Sequence, residues 1–128
     1  MRIEDYFSQI RMMIDHCPIV QLSTVTYEKR GTNEGLVRGE LLFVDGSNLH
    51  LREYIDVELI IDRLMYVYQY MKEDTTLIFR YDNTGHHRTL GLVTYPHHKH
   101  QGQEIILPSS APSLETVLEE IQSQITLP

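Results

Sequence analysis

A chain of 128 residues with 41% hydrophobic and 23% charged residues has the size and balance of a single domain able to bury a core of its own. No apolar run reaches the ~18 residues a membrane helix needs, and Met1-Arg2-Ile3-Glu4-Asp5 is acidic where a secretory signal would be apolar. The net charge of −7 disfavours a general electrostatic grip on nucleic acid, and a lone cysteine, Cys17, excludes an internal disulfide and fits a reducing cytoplasm.

From Arg2 to Asp15 the apolar residues Ile3, Tyr6, Phe7, Ile10 and Ile14 recur at three- and four-residue spacing, the stripe of an amphipathic helix, which Pro18 ends. Ile19 to Arg30 is rich in Val, Thr and Leu without a helical stripe and reads as a strand. The turn residues Gly31 to Gly35 lead into a second strand, Leu36 to Val44, and Asp45-Gly46-Ser47-Asn48 is a strong hairpin signal. Leu49 to Val57 alternates, with Leu49, Leu51 and Glu53 on one side and His50, Arg52 and Tyr54 on the other, and reads as the third strand.

Glu58 to Met71 offers two patterns. Leu59, Ile60, Leu64, Val67 and Met71 could line a helix, but the alternating tyrosines Tyr66, Tyr68 and Tyr70 favour a strand. Lys72-Glu73-Asp74 turns the chain into a last strand, Thr75 to Tyr81, and Asp82-Asn83-Thr84-Gly85 ends the regular structure. His86 to Pro108 reads as an ordered loop. Ser113 then caps a helix faced by Leu114, Val117, Leu118, Ile121 and Ile125. The expected fold is α+β: an antiparallel meander of about five strands, with the N-terminal and C-terminal helices on one face and a histidine-rich loop before the last helix.

That loop is the compositional anomaly of the chain. Five of the seven histidines fall between Arg80 and His100, where the fixed charges balance to +2 on a body that carries −9 elsewhere. Imidazoles titrate near neutral pH and can act as general acids and bases, with Arg80 and Lys99 stabilising an anionic phosphorus centre. A metal-free ribonuclease needs only a base, an acid and a cation, because the RNA 2′-hydroxyl is the nucleophile. His86, His87, His97, His98 and His100 with Arg80 and Asp82 could supply these groups, and no cofactor is then needed. Neutral imidazoles with Asp82 or Glu104 could instead ligate a transition metal, although the spacing matches no closed zinc motif. A third reading is a binding loop that inhibits a target without chemistry.

The strings Tyr27-Glu28-Lys29-Arg30-Gly31, Arg38-Gly39-Glu40-Leu41, Asp45-Gly46-Ser47, Arg52-Glu53-Tyr54, Arg80-Tyr81-Asp82-Asn83 and Pro96-His97-His98-Lys99-His100 resemble those of the TumE-like toxins over nearly the whole chain, from the first helix to Ile121. These are small bacterial and archaeal proteins encoded beside a helix-turn-helix antitoxin. The resemblance implies a single toxin domain over residues 1–128, acting in the prokaryotic cytoplasm with an antitoxin partner. It leaves the reaction open.

Other positions follow from the residues themselves. Glu53 is expected on an accessible sheet face, as a general base or as a partner of Arg52 or Arg38. Arg30 and Arg38 flank the first hairpin and, with Lys99 and Tyr81, could bind an RNA substrate. The tyrosine stripe could stack on bases, but is commoner as packing. A sheet-edge strand could pair across a two-fold axis to give a homodimer, and no membrane contact is expected.

Overall fold

The computed structural model describes residues 1–83, 97–102 and 105–125. Helix α1 runs from Ile3 to Asp15 and buries Ile3, Tyr6, Phe7, Ile10 and Ile14, the stripe expected from the spacing. Glu4 and Asp5 in its first turn complement the positive end of the helix dipole. Five strands follow as a meander: β1 (Val20–Lys29), β2 (Glu34–Phe43), β3 (Asn48–Asp56), β4 (Asp62–Met71) and β5 (Leu77–Asp82). The segment with two patterns is therefore a strand, and its buried tyrosines are core residues rather than a stacking platform: Tyr66, Tyr68 and Tyr70 are each 2% exposed or less. Helix α2 (Leu114–Gln124) starts at Ser113, whose hydroxyl accepts from the Thr116 backbone N–H at 3.2 Å.

One expectation is corrected. Part of the stretch read as loop from His86 to Pro108 is strand: β6 (His98–Gln101) pairs antiparallel with β5, and β7 (Ile105–Pro108) pairs antiparallel with β6. Among the described residues the sheet thus has seven strands in sequence order. The physical reason is the edge of β5, whose backbone donors and acceptors need partners that β6 supplies.

Both helices cover the same face of the sheet. Side chains of α1 press directly on Gly35, where a Cβ would stand 2.5 Å from Phe7 Cζ and 2.7 Å from Ile3 Cγ1. Gly39 permits an equally close approach by β1, because its Cβ would meet the Thr24 carbonyl oxygen at 2.2 Å. The Asp45–Ser47 turn closes as the sequence suggests, with Gly46 at φ +89° and the Ser47 N–H donating to the Asp45 carboxylate at 3.0 Å.

A bulge at Leu64 shifts the register between β3 and β4, pairing Tyr54 with Met65 but Ile55 with Arg63. Arg63 is thereby aimed onto the helix side. There its guanidinium donates to the Tyr68 hydroxyl at 3.0 Å and to the carbonyls of Ala111 and Pro112, tying the lead into α2 to the sheet.

Candidate functional site

The face away from the helices is built by cross-strand register. One row runs Thr24, Glu40, His50, Gln69, Arg80, His100, and the next runs Thr26, Arg38, Arg52, Val67, Asp82, His98, one residue from each of β1 to β6. Because side chains alternate along a strand, every member of the two rows projects to the same side.

At one end of the rows lies a compact charged cluster. Asp82 is 1% exposed and its carboxylate meets three groups: Arg80 Nε donates to Oδ2 at 2.9 Å, His98 Nε2 lies 2.7 Å from Oδ1, and His100 Nε2 lies 3.4 Å from Oδ2. The two imidazoles touch edge to face, their centroids 5.0 Å apart. Arg80 is fixed further by its NH1, which donates to Gln69 Oε1 at 3.0 Å. Within the cluster, the side chains of Arg80 and His100 are 34% and 20% exposed and that of His98 only 2%. Arg80 and His100 are therefore the members a ligand can reach, and His98 meets Asp82 out of contact with solvent.

Beside the cluster is an open groove of about 320 Å³, lined by Arg38, His50, Arg52, Val67, Gln69 and Arg80 among others. Arg38 and Arg52 are direct cross-strand partners on this face. Like charges placed opposite each other destabilise a sheet, and neither guanidinium has a carboxylate partner among the described residues. An anion between them would relieve that repulsion. His50 lies at the same groove, its Nε2 3.6 Å from Glu40 Oε2.

The structure divides the sequence candidates. Arg80, Asp82, His98 and His100 come together as one cluster, and Arg38 lines the adjoining groove. His97 and Lys99 do not join them: Lys99 of β6 and His97 just before it alternate with His98 and His100 and meet the helix side. His97 Nδ1 lies 2.9 Å from the Tyr66 hydroxyl and its ring stacks on Tyr66. Burial, then the nearby charges of Arg63 and His98, lower its basicity below the usual histidine value. Lys99 and Tyr81 both bond to Glu120 of α2, at 3.0 and 2.7 Å.

Glu53 requires the plainest correction. It is not on an accessible face but 1% exposed beneath the helices, accepting the hydroxyl protons of Tyr6 and, at 2.6 Å, of Tyr68. Its partners are neither Arg52 nor Arg38. Desolvation and the Glu53 charge push both tyrosine hydroxyls well above their ordinary range. Arg30 sits at the first hairpin in a surface pair with Glu28 at 3.2 Å, outside the groove lining. His86, His87 and Glu104 lie outside the described residues.

Three groove residues escaped the sequence reading: His50, Arg52 and Gln69. The signal for the first two was present in β3, where they alternate against the buried Leu49 and Leu51.

A family model described as Toxin TumE matches residues 10–125, which span the groove and the cluster entirely. The chain belongs to the TumE toxin family. Membership makes it the toxin of a toxin–antitoxin system and gives it an antitoxin partner. Comparison with curated proteins and with solved structures returned no match. Among the described residues, no helix of this TumE-family toxin is long and apolar enough to cross a membrane.

Proposed function

We propose that this toxin acts in the cytoplasm as a metal-independent endoribonuclease, with RNA held on the outer sheet face. The observation that carries the reading is the directly opposed Arg38–Arg52 pair beside Arg80, a cationic groove running up to an imidazole–carboxylate cluster. Two guanidiniums kept at close quarters suit consecutive phosphates of a single strand. In the reaction a ribose 2′-hydroxyl attacks the adjacent phosphorus and the bond to the 5′-oxygen breaks. One base takes the 2′-hydroxyl proton and one acid returns a proton to the leaving oxygen. His100, oriented by Asp82 and reachable from solvent, is one proton carrier; His50, at the other side of the groove, is placed to be the second. Arg80 stabilises the anionic transition state, and buried His98 positions Asp82.

A second reading has an observation of its own. Donor atoms of Asp82, His98 and His100 all lie within 4.8 Å of one another, a set that could hold a transition metal with open coordination positions. The Arg80 guanidinium on Asp82 favours the metal-free form, since it already neutralises the carboxylate. Purified toxin incubated with total RNA decides between them. Cleavage that survives a chelator and disappears in His100→Ala and Arg80→Gln, each with unchanged melting, is the expected result. Cleavage abolished by the chelator and restored by one metal establishes the second reading. Growth arrest without RNA cleavage under any condition overturns both and leaves a non-catalytic inhibitor.

A further inference from the structure

The loop joining β3 to β4 places three consecutive apolar side chains in water: Leu59 is 92% exposed, Ile60 71% and Ile61 49%, followed by Leu64 at 50% on the bulge. Single exposed apolar residues are ordinary, but a contiguous group on a loop tip is a mark of an interaction site. Its surroundings are acidic. Leu59 and Ile60 share a depression of about 240 Å³ with Asp56, Glu58 and Asp62. On the other side Ile61 closes a second depression of about 210 Å³ with Ile10 and Met13 of α1, Leu114 and Glu115 at the start of α2, and Arg63, whose guanidinium is held by the Ala111 and Pro112 carbonyls. None of these four carboxylates forms an ion pair with a basic side chain among the described residues.

We propose that this surface docks the antitoxin, through a segment presenting two or three large apolar side chains flanked by Lys or Arg. The apolar side chains would fill the two depressions and the cations would meet the carboxylate rim. Charge selects this occupant over the others. Anionic lipid headgroups and nucleic acid are repelled by the rim. A second copy of this chain, meeting the patch across a two-fold axis, would set the same carboxylates against themselves. The acidic rim also lies apart from the groove, since Asp62 and Val67 are five positions apart along β4, roughly 15 Å. Docking here and acting on a substrate are therefore separable functions. The proposal rests on the toxin–antitoxin reading and not on ribonuclease chemistry.

The test uses the full-length toxin and, as probe, the protein encoded by the reading frame adjoining the toxin's own gene. A Leu59→Asp, Ile60→Asp variant is compared with the parent for growth arrest alone, for rescue on co-expression with the probe, and for probe affinity by interferometry. Both side chains are outside the core, so an unchanged melting curve accompanies the variant. The expected result is full growth arrest, lost rescue and an affinity lowered by roughly 30-fold or more, as for loss of central anchors. A Glu58→Lys, Asp62→Lys variant should slow association and weaken its salt dependence. Rescue with unchanged affinity overturns the docking surface while leaving the function proposed above intact. A folded variant that no longer arrests growth also overturns it, because the loop would then belong to the toxic machinery. A parent toxin that is dimeric in solution and becomes monomeric in the aspartate variant overturns it in favour of self-association. Arg80→Gln separates the two proposals: it should abolish growth arrest and still bind the probe at parental affinity.

Discussion

Replacing Tyr6 by Phe removes one hydroxyl and nothing else from the buried polar chain Arg63–Tyr68–Glu53–Tyr6. The Glu53 carboxylate keeps the Tyr68 hydroxyl at 2.6 Å on its other oxygen but loses the donor from α1. A hydrogen bond to a charged group contributes about 1.5–3 kcal/mol, and with Glu53 1% exposed no bulk water stands ready to replace the lost donor. For 128 residues the unfolding entropy near the midpoint is about 0.27 kcal/mol per kelvin, so Tm should fall by roughly 5–11 °C. Glu53→Gln should lower it as well, since an amide accepts one hydroxyl well but not two. Differential scanning calorimetry reads the shift, and growth arrest normalised to folded protein reads function. Both variants should be destabilised yet fully toxic at a temperature where they remain folded. A Tyr6→Phe protein melting within about 1 °C of the parent, or a Glu53→Gln protein that folds normally and has lost toxicity, refutes the structural role and restores Glu53 as a reactive group.

Three further outcomes follow from the site and its surroundings. His97 holds its proton less tightly when folded than the usual 6.5, through burial and the charges of Arg63 and His98. Above pH 6.5 both states are neutral; as pH falls below it the unfolded chain protonates first, so stability should drop on acidification, and His97→Phe should flatten that limb in melts between about pH 8 and pH 5. On the alkaline side Tyr66, pushed up to about 12 chiefly by burial, stays protonated while the unfolded chain ionises above 10, so stability is lost as pH rises from 10 through that value. In the groove, Arg52→Gln should weaken binding to single-stranded RNA uniformly across sequences and reduce the slope of log K against log salt by about 0.7, as expected for one phosphate contact. A slope unchanged by fluorescence anisotropy removes Arg52 from the interface.

Most of the scaffold could be read from local pattern. The spacing of Ile3, Tyr6, Phe7, Ile10 and Ile14 defines α1, the Ser113 hydroxyl marks the start of α2, and the alternating tyrosines outweigh the competing helical stripe in β4. Strand β6 was not legible because His-Lys-His-Gln has neither apolar alternation nor β-branched residues. Its conformation comes from pairing with β5, a partner that local sequence does not reveal. The histidine-dense stretch holds all four members of the Asp82 cluster, but its linear density concealed that neighbouring histidines along an extended chain face opposite ways. Glu53 was misplaced for the converse reason: it alternates in phase with Leu49 and Leu51, and that phase already assigned it to the core.

The opposed projection of neighbours in β6 has a consequence for what this strand tolerates. One residue added or removed between His97 and Gln101 would slide the β5–β6 pairing by a single step. Slipped one way, Lys99 would stand opposite Arg80, an ammonium against a guanidinium, with His98 turned in toward Glu120; slipped the other way, Lys99 would stand opposite Asp82, with His100 turned in. The native pairs His98–Asp82 on one side and Lys99–Glu120 on the other would be lost together. Each layer of the molecule thus holds the strand in frame for the other, because a single step exchanges the imidazole side of β6 for its ammonium side.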